Sequence, residues 1–259
     1  MLLTFDIGNT NIVVGGFEKK NLAFEFRLKT DPGRTIDEYA GILFSLLDRQ
    51  AEEHKHPSAC VISSVVPPIT PDVVRLVKER FNIDALVVGP GVKTGLSIKT
   101  TDPAAVGSDR VVNAVAVKAL FGSPALVVDF GTATSFDLVS KEGNYEGGII
   151  APGPATALEA LVRNTAKLPR IELSWPKNVV GKNTVAAMQA GVVVGYACLV
   201  DGLIDKIIDE VGPIPHVVAT GGLGRLFSEH SKSIKNYDPH LTLTGLRIIA
   251  ELNDLHERT

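Results

Sequence analysis

A short polar segment near the N-terminus has the residue types of an anion-binding turn. It follows an apolar stretch and consists of Asp6, Ile7, Gly8, Asn9, Thr10 and Asn11. Glycine lets backbone N–H groups approach an anion without a Cβ in the way, and the amide and hydroxyl side chains add donors. Asp6 is suited to hold a hydrated Mg²⁺ beside bound phosphates, because hard cations take carboxylate and water oxygens. An ordinary hairpin turn is the alternative interpretation.

A second copy of this pattern lies near the middle of the chain. It consists of Asp129, Phe130, Gly131, Thr132, Ala133 and Thr134. Both copies place an apolar residue and then glycine directly after an aspartate that ends an apolar run. Asp6 and Asp129 are 123 positions apart in a chain of 259 residues. The repeat predicts two related halves, whose two turns would clamp a polyphosphate from both sides.

A third glycine-containing segment follows another apolar stretch. Gly221 and Gly222 stand between a predicted strand and a predicted helix. Glycines there permit a flat ring or a sugar to approach the backbone, and the start of a helix favours negative charge. A plain strand-to-helix turn explains a single Gly-Gly pair equally well.

One Asp-Arg pair has the chemistry of proton and charge transfer. Asp109 stands near the start of a predicted helix, where the helix dipole favours its ionised form. A carboxylate can accept a proton, and Arg110 beside it can offset negative charge. The alternative is a solvated pair on a helix surface.

Composition excludes several classes of protein. The net charge is −3 and no Lys/Arg run exceeds two residues, so a nucleic-acid surface has no electrostatic support. The two cysteines form no CxxC motif, which suits a reducing compartment. No basic segment precedes an apolar one at the N-terminus, and no run of 18 apolar residues is found. We therefore expect a cytoplasmic protein with neither a membrane nor a nucleic acid as partner. The chain also lacks a GxxxxGK[ST] phosphate loop.

The hydrophobic pattern predicts mixed α/β structure in both halves. The first half has a predicted strand meander at 2–7, 11–17 and 22–29, further strands at 59–64 and 86–88, and helices at 35–53, 70–81 and 102–120. The second half has strands at 124–129, 134–139, 145–151 and 215–219, and helices at 153–166, 184–210, after 222 and at 244–255. Glycines within 184–210 predict a bend. The expected domains are 1–120 and 121–259, with a C-terminal helix that can pack back on the first.

These segments together resemble the acetate and sugar kinase/actin superfamily, and within it the type III pantothenate kinases. The matching segments, besides the three glycine-containing turns, are 102–110, 147–153, 165–169 and 181–184. They span nearly the whole chain in the family's order. The resemblance implies two ribonuclease H-like (actin-like ATPase) domains around a nucleotide cleft. It also implies ATP-dependent phosphorylation of pantothenate with Mg²⁺ and a monovalent cation, K⁺ or NH₄⁺, in a homodimer.

The resemblance assigns roles to particular residues. The first ATP-phosphate segment comprises Asp6, Ile7, Gly8, Asn9, Thr10, Asn11, Ile12 and Val13. Thr132 matches the second, Gly221 and Gly222 match the adenosine loop, and Asp129 matches the ligand of the monovalent cation. The pantothenate segment comprises Gly107, Ser108, Asp109 and Arg110, with Asp109 as proton acceptor. Thr184 matches a substrate contact donated across the dimer, and it is also suited to cap a helix.

The chain departs from the family pattern at four positions. The family usually has Ala at Ser108, Tyr at Thr100, Asn at Asp102 and Ala at Gly224. The Thr100 departure removes one expected substrate contact. Two other functions fit the same fold. One is a nucleotide-binding regulatory or accessory protein without catalysis. The argument against it is the presence of the full set Asp6, Asp109, Asp129 and Thr132. The other is a sugar kinase. An actin- or chaperone-like role would need a longer chain.

Overall fold

The computed structural model describes residues 1–51 and 56–255. The chain forms two compact units. The first comprises Met1–Ala116 together with Leu241–Thr259, and the second comprises Val117–His240. The C-terminal segment therefore belongs to the first unit.

The first unit is built on a five-stranded mixed sheet. Its strands are β1 (Leu2–Ile7), β2 (Asn11–Glu18), β3 (Asn21–Lys29), β4 (Ala59–Ser64) and β5 (Leu86–Val87). Their order is β3-β2-β1-β4-β5, with β1–β3 an antiparallel meander and β4 parallel to β1. The central strand β1 pairs on both sides, which fixes the register of Asp6 against Val13 on β2 and Ser63 on β4.

Helices cover both faces of this sheet. Residues alternate between faces along a strand, and Leu3 and Leu2 accordingly belong to different apolar clusters. On the Leu3 face pack α1 (Ile36–Leu47) and α2 (Thr70–Phe81). On the Leu2 face pack α8 (Leu241–Leu252) and the first part of α3 (Ser108–Phe121). A Thr35–Glu38 capping box begins α1, as the sequence predicts.

The second unit repeats the sheet. Its strands are β6 (Ala125–Phe130), β7 (Ala133–Val139), β8 (Tyr145–Pro152), β9 (His216–Thr220) and β10 (Asn236–Tyr237). The order β8-β7-β6-β9-β10 reproduces that of the first unit, again with an antiparallel meander and a parallel strand beside its first member. The predicted α/β fold with duplicated halves is confirmed.

The helices of the second unit include one irregular stretch. They are α4 (Pro154–Arg163), α5 (Thr184–Gln189), α6 (Gly195–Val211) and the short α7 (Gly224–Ser228). A π-helical turn, Ala190–Val194, joins α5 to α6. It lies within the segment where glycines predict a bend.

The stretch Thr184–Val211 meets the length and hydropathy of a membrane span, with 28 residues and a mean hydropathy of 1.6 in its most apolar window. The sequence has no uninterrupted run of 18 apolar residues, but small and apolar residues between the few polar and charged ones raise the average hydropathy of this stretch. Val193, Tyr196, Val200 and Ile204 on this stretch are buried in the apolar cluster of the sheet. That packing is typical of a core helix, which passes the same test of length and composition.

The largest differences from the predicted elements concern two helices of the first half and one strand. Helix α1 ends at Leu47 rather than near residue 53, and residues 52 and 53 lie outside the described part of the chain. The helix predicted over 102–120 is instead a 3₁₀ turn at Pro103–Ala105 followed by α3. Val106 has an extended backbone (ψ 125°) that separates the two. Strand β10 was missed because two residues carry no periodicity.

Two helical glycines of the first unit provide a stability test. A Cβ at Gly245 in α8 would lie 2.3 Å from the Val112 carbonyl oxygen, so Gly245→Ala forces α8 away from α3 and should cost about 1–3 kcal/mol. Gly41, exposed on α1, has nothing within 4 Å of a Cβ, and Gly41→Ala should stabilise by about 0.5–1 kcal/mol. Urea unfolding of both variants measures the difference. Equal effects of one sign would contradict the packing described for α8.

Candidate functional site

The turn between β1 and β2 is closed by a backbone hydrogen bond and is held by Thr30, the residue that follows β3. The Gly8 amide donates to the Asn11 carbonyl at 3.0 Å. The Thr30 hydroxyl donates to the Gly8 carbonyl at 2.6 Å, and the Thr30 amide donates to the Thr10 carbonyl at 3.0 Å. Asn9 and Thr10 are exposed at the tip, while Asp6 is half-buried at the end of β1. The turn is therefore a fixed polar tip beside a carboxylate.

The turn between β6 and β7 has the same plan and is one residue shorter. Ile7 pairs with Ile12 in the first turn, whereas Phe130 pairs with Thr134 in the second. Asp129 occupies the position of Asp6, since it too pairs with a residue on each neighbouring strand, here Ser135 and Thr220. The structure thus confirms that the repeated segments form equivalent turns.

The second turn is fixed by the start of α4. The Gly153 amide and the Thr156 hydroxyl donate to the Thr132 carbonyl at 2.9 and 2.6 Å. A Cβ at Gly153 would lie 2.3 Å from the Gly131 carbonyl oxygen, so only glycine allows this approach. Thr132 itself is exposed. Neither Thr30 nor Thr156 was identified from the sequence, because each acts through a contact distant in the chain.

Gly221 brings the third segment against Asp129. Its φ of 85° is in the left-handed region, which favours glycine. A Cβ at this residue would lie 2.5 Å from Asp129 Oδ1 and 2.7 Å from the Phe130 carbonyl oxygen. Asp129, Thr132 and Gly221, which the sequence singles out separately, are therefore gathered at one end of the sheet. Gly222 next to them is exposed.

The oxygen atoms around Gly221 are of the type that hard cations take. A carboxylate and a backbone carbonyl face the space that a side chain at residue 221 would fill. Among residues 1–51 and 56–255 no group of three or more His, Cys, Asp or Glu side chains is suited to a metal ion. A cation here would therefore combine one carboxylate with carbonyl, hydroxyl, phosphate or water oxygens.

Asp109 lies in the first turn of α3 with its carboxylate folded back over Gly107. Asp109 Oδ1 accepts a hydrogen bond from the Arg110 amide at 2.8 Å and lies 2.6 Å from where a Gly107 Cβ would stand. Burial raises the pKa of the Asp109 carboxyl, and the Arg110 amide and guanidinium only partly offset this. Such a carboxylate is a better proton acceptor than a solvated one. Asp109 is thus half-buried rather than fully solvated, and burial outweighs the helix-dipole effect that was expected to favour its ionised form.

Residues 107–110 and the first turn lie in one unit and are linked through Ser63. Ser63 pairs with Asp6 across β1 and β4, and its hydroxyl lies 2.9 Å from the Ser108 hydroxyl. Ser108 adjoins Asp109, so the residues predicted from 6–13 and from 107–110 are joined by one hydrogen-bonded link.

Thr184 borders a cavity of about 990 Å³ in the second unit. The helix cap is Asn183, whose side chain accepts from the Ala186 amide at 2.9 Å, so Thr184 is not the cap. Lys182, Tyr196 and Leu199 also border this cavity. The structure does not bring Thr184 into the group formed by Asp129, Thr132 and Gly221.

Comparison with known proteins identifies the family. The family model for type III pantothenate kinase matches residues 2–206. A type III pantothenate kinase of Exiguobacterium sp. is 47% identical over 253 residues, which cover 98% of this chain and 99% of the relative.

Solved structures of low sequence identity share the fold. A protein of Campylobacter jejuni named as a conserved Baf family transcriptional activator superposes with a TM-score of 0.60 at 20% identity, covering 98% of this chain and 100% of its own. The activator of 2-hydroxyisocaproyl-CoA dehydratase from Clostridium difficile, with bound ADPNP, gives 0.54 at 12% identity and covers 100% and 97%. The ROK hexokinase of Thermus thermophilus gives 0.52 at 13% identity, covering 98% and 99%.

These structures support the actin-like ATPase and sugar kinase fold, while the family follows from the sequence match along nearly the whole chain. The chain belongs to the type III pantothenate kinase family and is a kinase.

Proposed function

We propose that this kinase transfers the γ-phosphoryl group of ATP to pantothenate, the first step of coenzyme A biosynthesis, in the cytoplasm. The observation that carries the proposal is the 47% identity to a type III pantothenate kinase over 98% of the chain. The two compact units are proposed to be its two ATPase domains.

The two turns supply the phosphate contacts in this proposal. Asp6 to Val13 would bind the ATP phosphates from the first unit, and Thr132 would bind them from the second. Their fixed backbones support this role, since phosphoryl transfer depends on positioning and charge neutralisation rather than on covalent chemistry. Gly221 and Gly222 would contact the adenosine. Mg²⁺, when bound beside the phosphates, would neutralise charge developing on them, and Asp6 would hold it through water.

Asp109 would accept the proton of the acceptor hydroxyl as that oxygen attacks the phosphorus in line. Its raised pKa and its position over Gly107 support this role. Gly107 and Ser108 would shape the pantothenate subsite, and Arg110 would balance negative charge. The carboxylate of Asp129 and the Phe130 carbonyl would hold the monovalent cation, K⁺ or NH₄⁺.

A homodimer is supported by the apolar surface next to the cavity. Val179 and Val180 are 66% and 82% exposed, and Leu199 on the cavity wall is 41% exposed. Apolar side chains exposed together mark an interface. In such a dimer, Thr184 of one copy is proposed to contact the pantothenate bound by the other.

The direct test is ADP release by the purified chain with Mg²⁺-ATP and pantothenate, with and without K⁺ or NH₄⁺. Asp109→Asn should lower kcat by about 10²–10⁴-fold while the protein stays folded, because the proton acceptor is lost. Asp84→Asn, on an 88% exposed carboxylate, is the matched control and should keep full turnover. ATP binding without turnover on pantothenate would favour the regulatory function, and turnover on a hexose the sugar kinase.

The raised pKa of Asp109 predicts two pH effects. The acid limb of kcat/KM should lie above the pH range in which a solvated aspartate titrates, since activity is lost as the carboxyl is protonated. A folded-state pKa above the unfolded value means that stability falls as pH rises between the two, so ionised Asp109 destabilises the fold at neutral pH. Asp109→Asn should therefore raise Tm at pH 7 but not below pH 4. A lower Tm at pH 7 would contradict this assignment.

Subunit mixing tests the role of Thr184. Asp109→Asn and Thr184→Ala chains, each with low activity alone, should recover about a quarter of wild-type turnover after exchange, because half of the dimers carry one intact site. Mixing the same two chains under conditions that prevent exchange is the control. Failure to recover after demonstrated exchange would place Thr184 in the same subunit's site or in none.

A further inference from the structure

The hydroxyl of Ser108 uses its proton and both of its acceptor sites in hydrogen bonds. Ser108 Oγ donates to the Ser64 carbonyl at 3.0 Å and accepts from the Ser64 amide at 3.0 Å. It also lies 2.9 Å from Ser63 Oγ. A hydroxyl has one proton and two acceptor sites. Because the proton goes to Ser64, Ser63 must be the donor in the third bond, and Ser108 then has no unused capacity.

Ser64 extends this arrangement to a third element. Ser64 Oγ accepts from the Thr70 hydroxyl at 2.7 Å and from the Val66 amide at 3.1 Å. The hydroxyl cluster, defined as Ser63, Ser64, Thr70 and Ser108, therefore ties the end of β4 to the first residues of α2 and α3. Ser63 is fully buried, so the loss of its partner would leave a buried hydroxyl without its acceptor.

The turn held by the cluster also determines where Asp109 points. Asp109 Oδ1 is fixed by the Arg110 amide and lies over Gly107, so its position follows the backbone of residues 107–110. Within that turn, the Ser108 hydroxyl bonds to both the amide and the carbonyl of Ser64 at the end of β4. An alanine at this position keeps the helix and loses all three bonds to the strand.

We propose that Ser108 is a positioning residue for Asp109: its hydroxyl anchors the first turn of α3 to β4 and so fixes the carboxylate that accepts the substrate proton. The inference rests on the proposed function for the role of Asp109. The link between Ser108 and the Asp109 carboxylate is a separate claim about the fold.

Ser108→Ala removes only the hydroxyl and should still fold. It therefore tests whether Ser108 positions the Asp109 carboxylate. We expect kcat to fall about tenfold with KM for Mg²⁺-ATP unchanged, because small misplacements of a reacting group slow the chemical step. A looser turn admits water to Asp109, so its titration, followed by carboxyl ¹³C NMR and assigned with Asp109→Asn, should move to lower pH. Ser63→Ala removes one of the three bonds and should give a smaller change of the same sign, and Ser108→Thr, which keeps the hydroxyl, should restore both readouts.

Thr4→Val is the matched control. It removes another buried hydroxyl of the same sheet, which donates to the Gly15 carbonyl at 3.1 Å, and it should lower stability without moving the Asp109 titration. If Ser108→Ala behaves like Thr4→Val, with kcat and the titration unchanged, Ser108 is only structural and the proposal is overturned. If Asp109→Asn stays active, the assigned base is wrong, whereas the NMR titration of Ser108→Ala still decides the link to the carboxylate.

Discussion

The pairing of one central strand on both sides is the constraint on which each half of the molecule depends. A strand bonded to an antiparallel neighbour and to a parallel neighbour cannot slip by one residue without turning its apolar side chains to the wrong face. Strands β1 and β6 are in this position, and the penultimate residue of each is an aspartate. The locations of Asp6 and Asp129 are thus determined by the packing of two apolar faces, far more strongly than a loop residue would be.

Backbone groups near these aspartates are held in place by hydrogen bonds from other elements. Carbonyls of the turns are held by hydroxyls from other elements, as with Thr30 on Gly8 and Thr156 on Thr132. Close approaches occur where glycine leaves room, at Gly107 beside Asp109 and at Gly221 beside Asp129. The arrangement places the carboxylates of Asp109 and Asp129 directly beside polar groups of the backbone.

Sequence reasoning reached the repeated strands and both turns because their signals are local. An apolar run followed by Asp, an apolar residue and Gly is visible within six residues, and its recurrence supplied the duplication. The α3 boundary was less accessible, because Pro103 suggested a helix start while the extended Val106 delays it to Ser108. The hydroxyl cluster could not be predicted from the sequence, because Ser63 and Ser108 are 45 positions apart and the residues around one do not indicate the other. The hydrogen bond from the Thr156 hydroxyl to the Thr132 carbonyl could not be predicted for the same reason, because it forms only when distant segments meet in the folded chain.

The π-helical turn at Ala190–Val194 limits the insertions and deletions that the helix Thr184–Val211 can accept. A π turn is an α-helix with one extra residue, so the helix before it is rotated by about 100° relative to an uninterrupted helix. Removing one residue from the turn would leave a regular helix, yet it would rotate Thr184 away from the cavity that it shares with Tyr196. Length variation is therefore tolerated better in the irregular segment before Asn183 than within this helix. Loss of the codon for Ala190, Val193 or Val194 would change the geometry of the cavity without removing any residue that lines it.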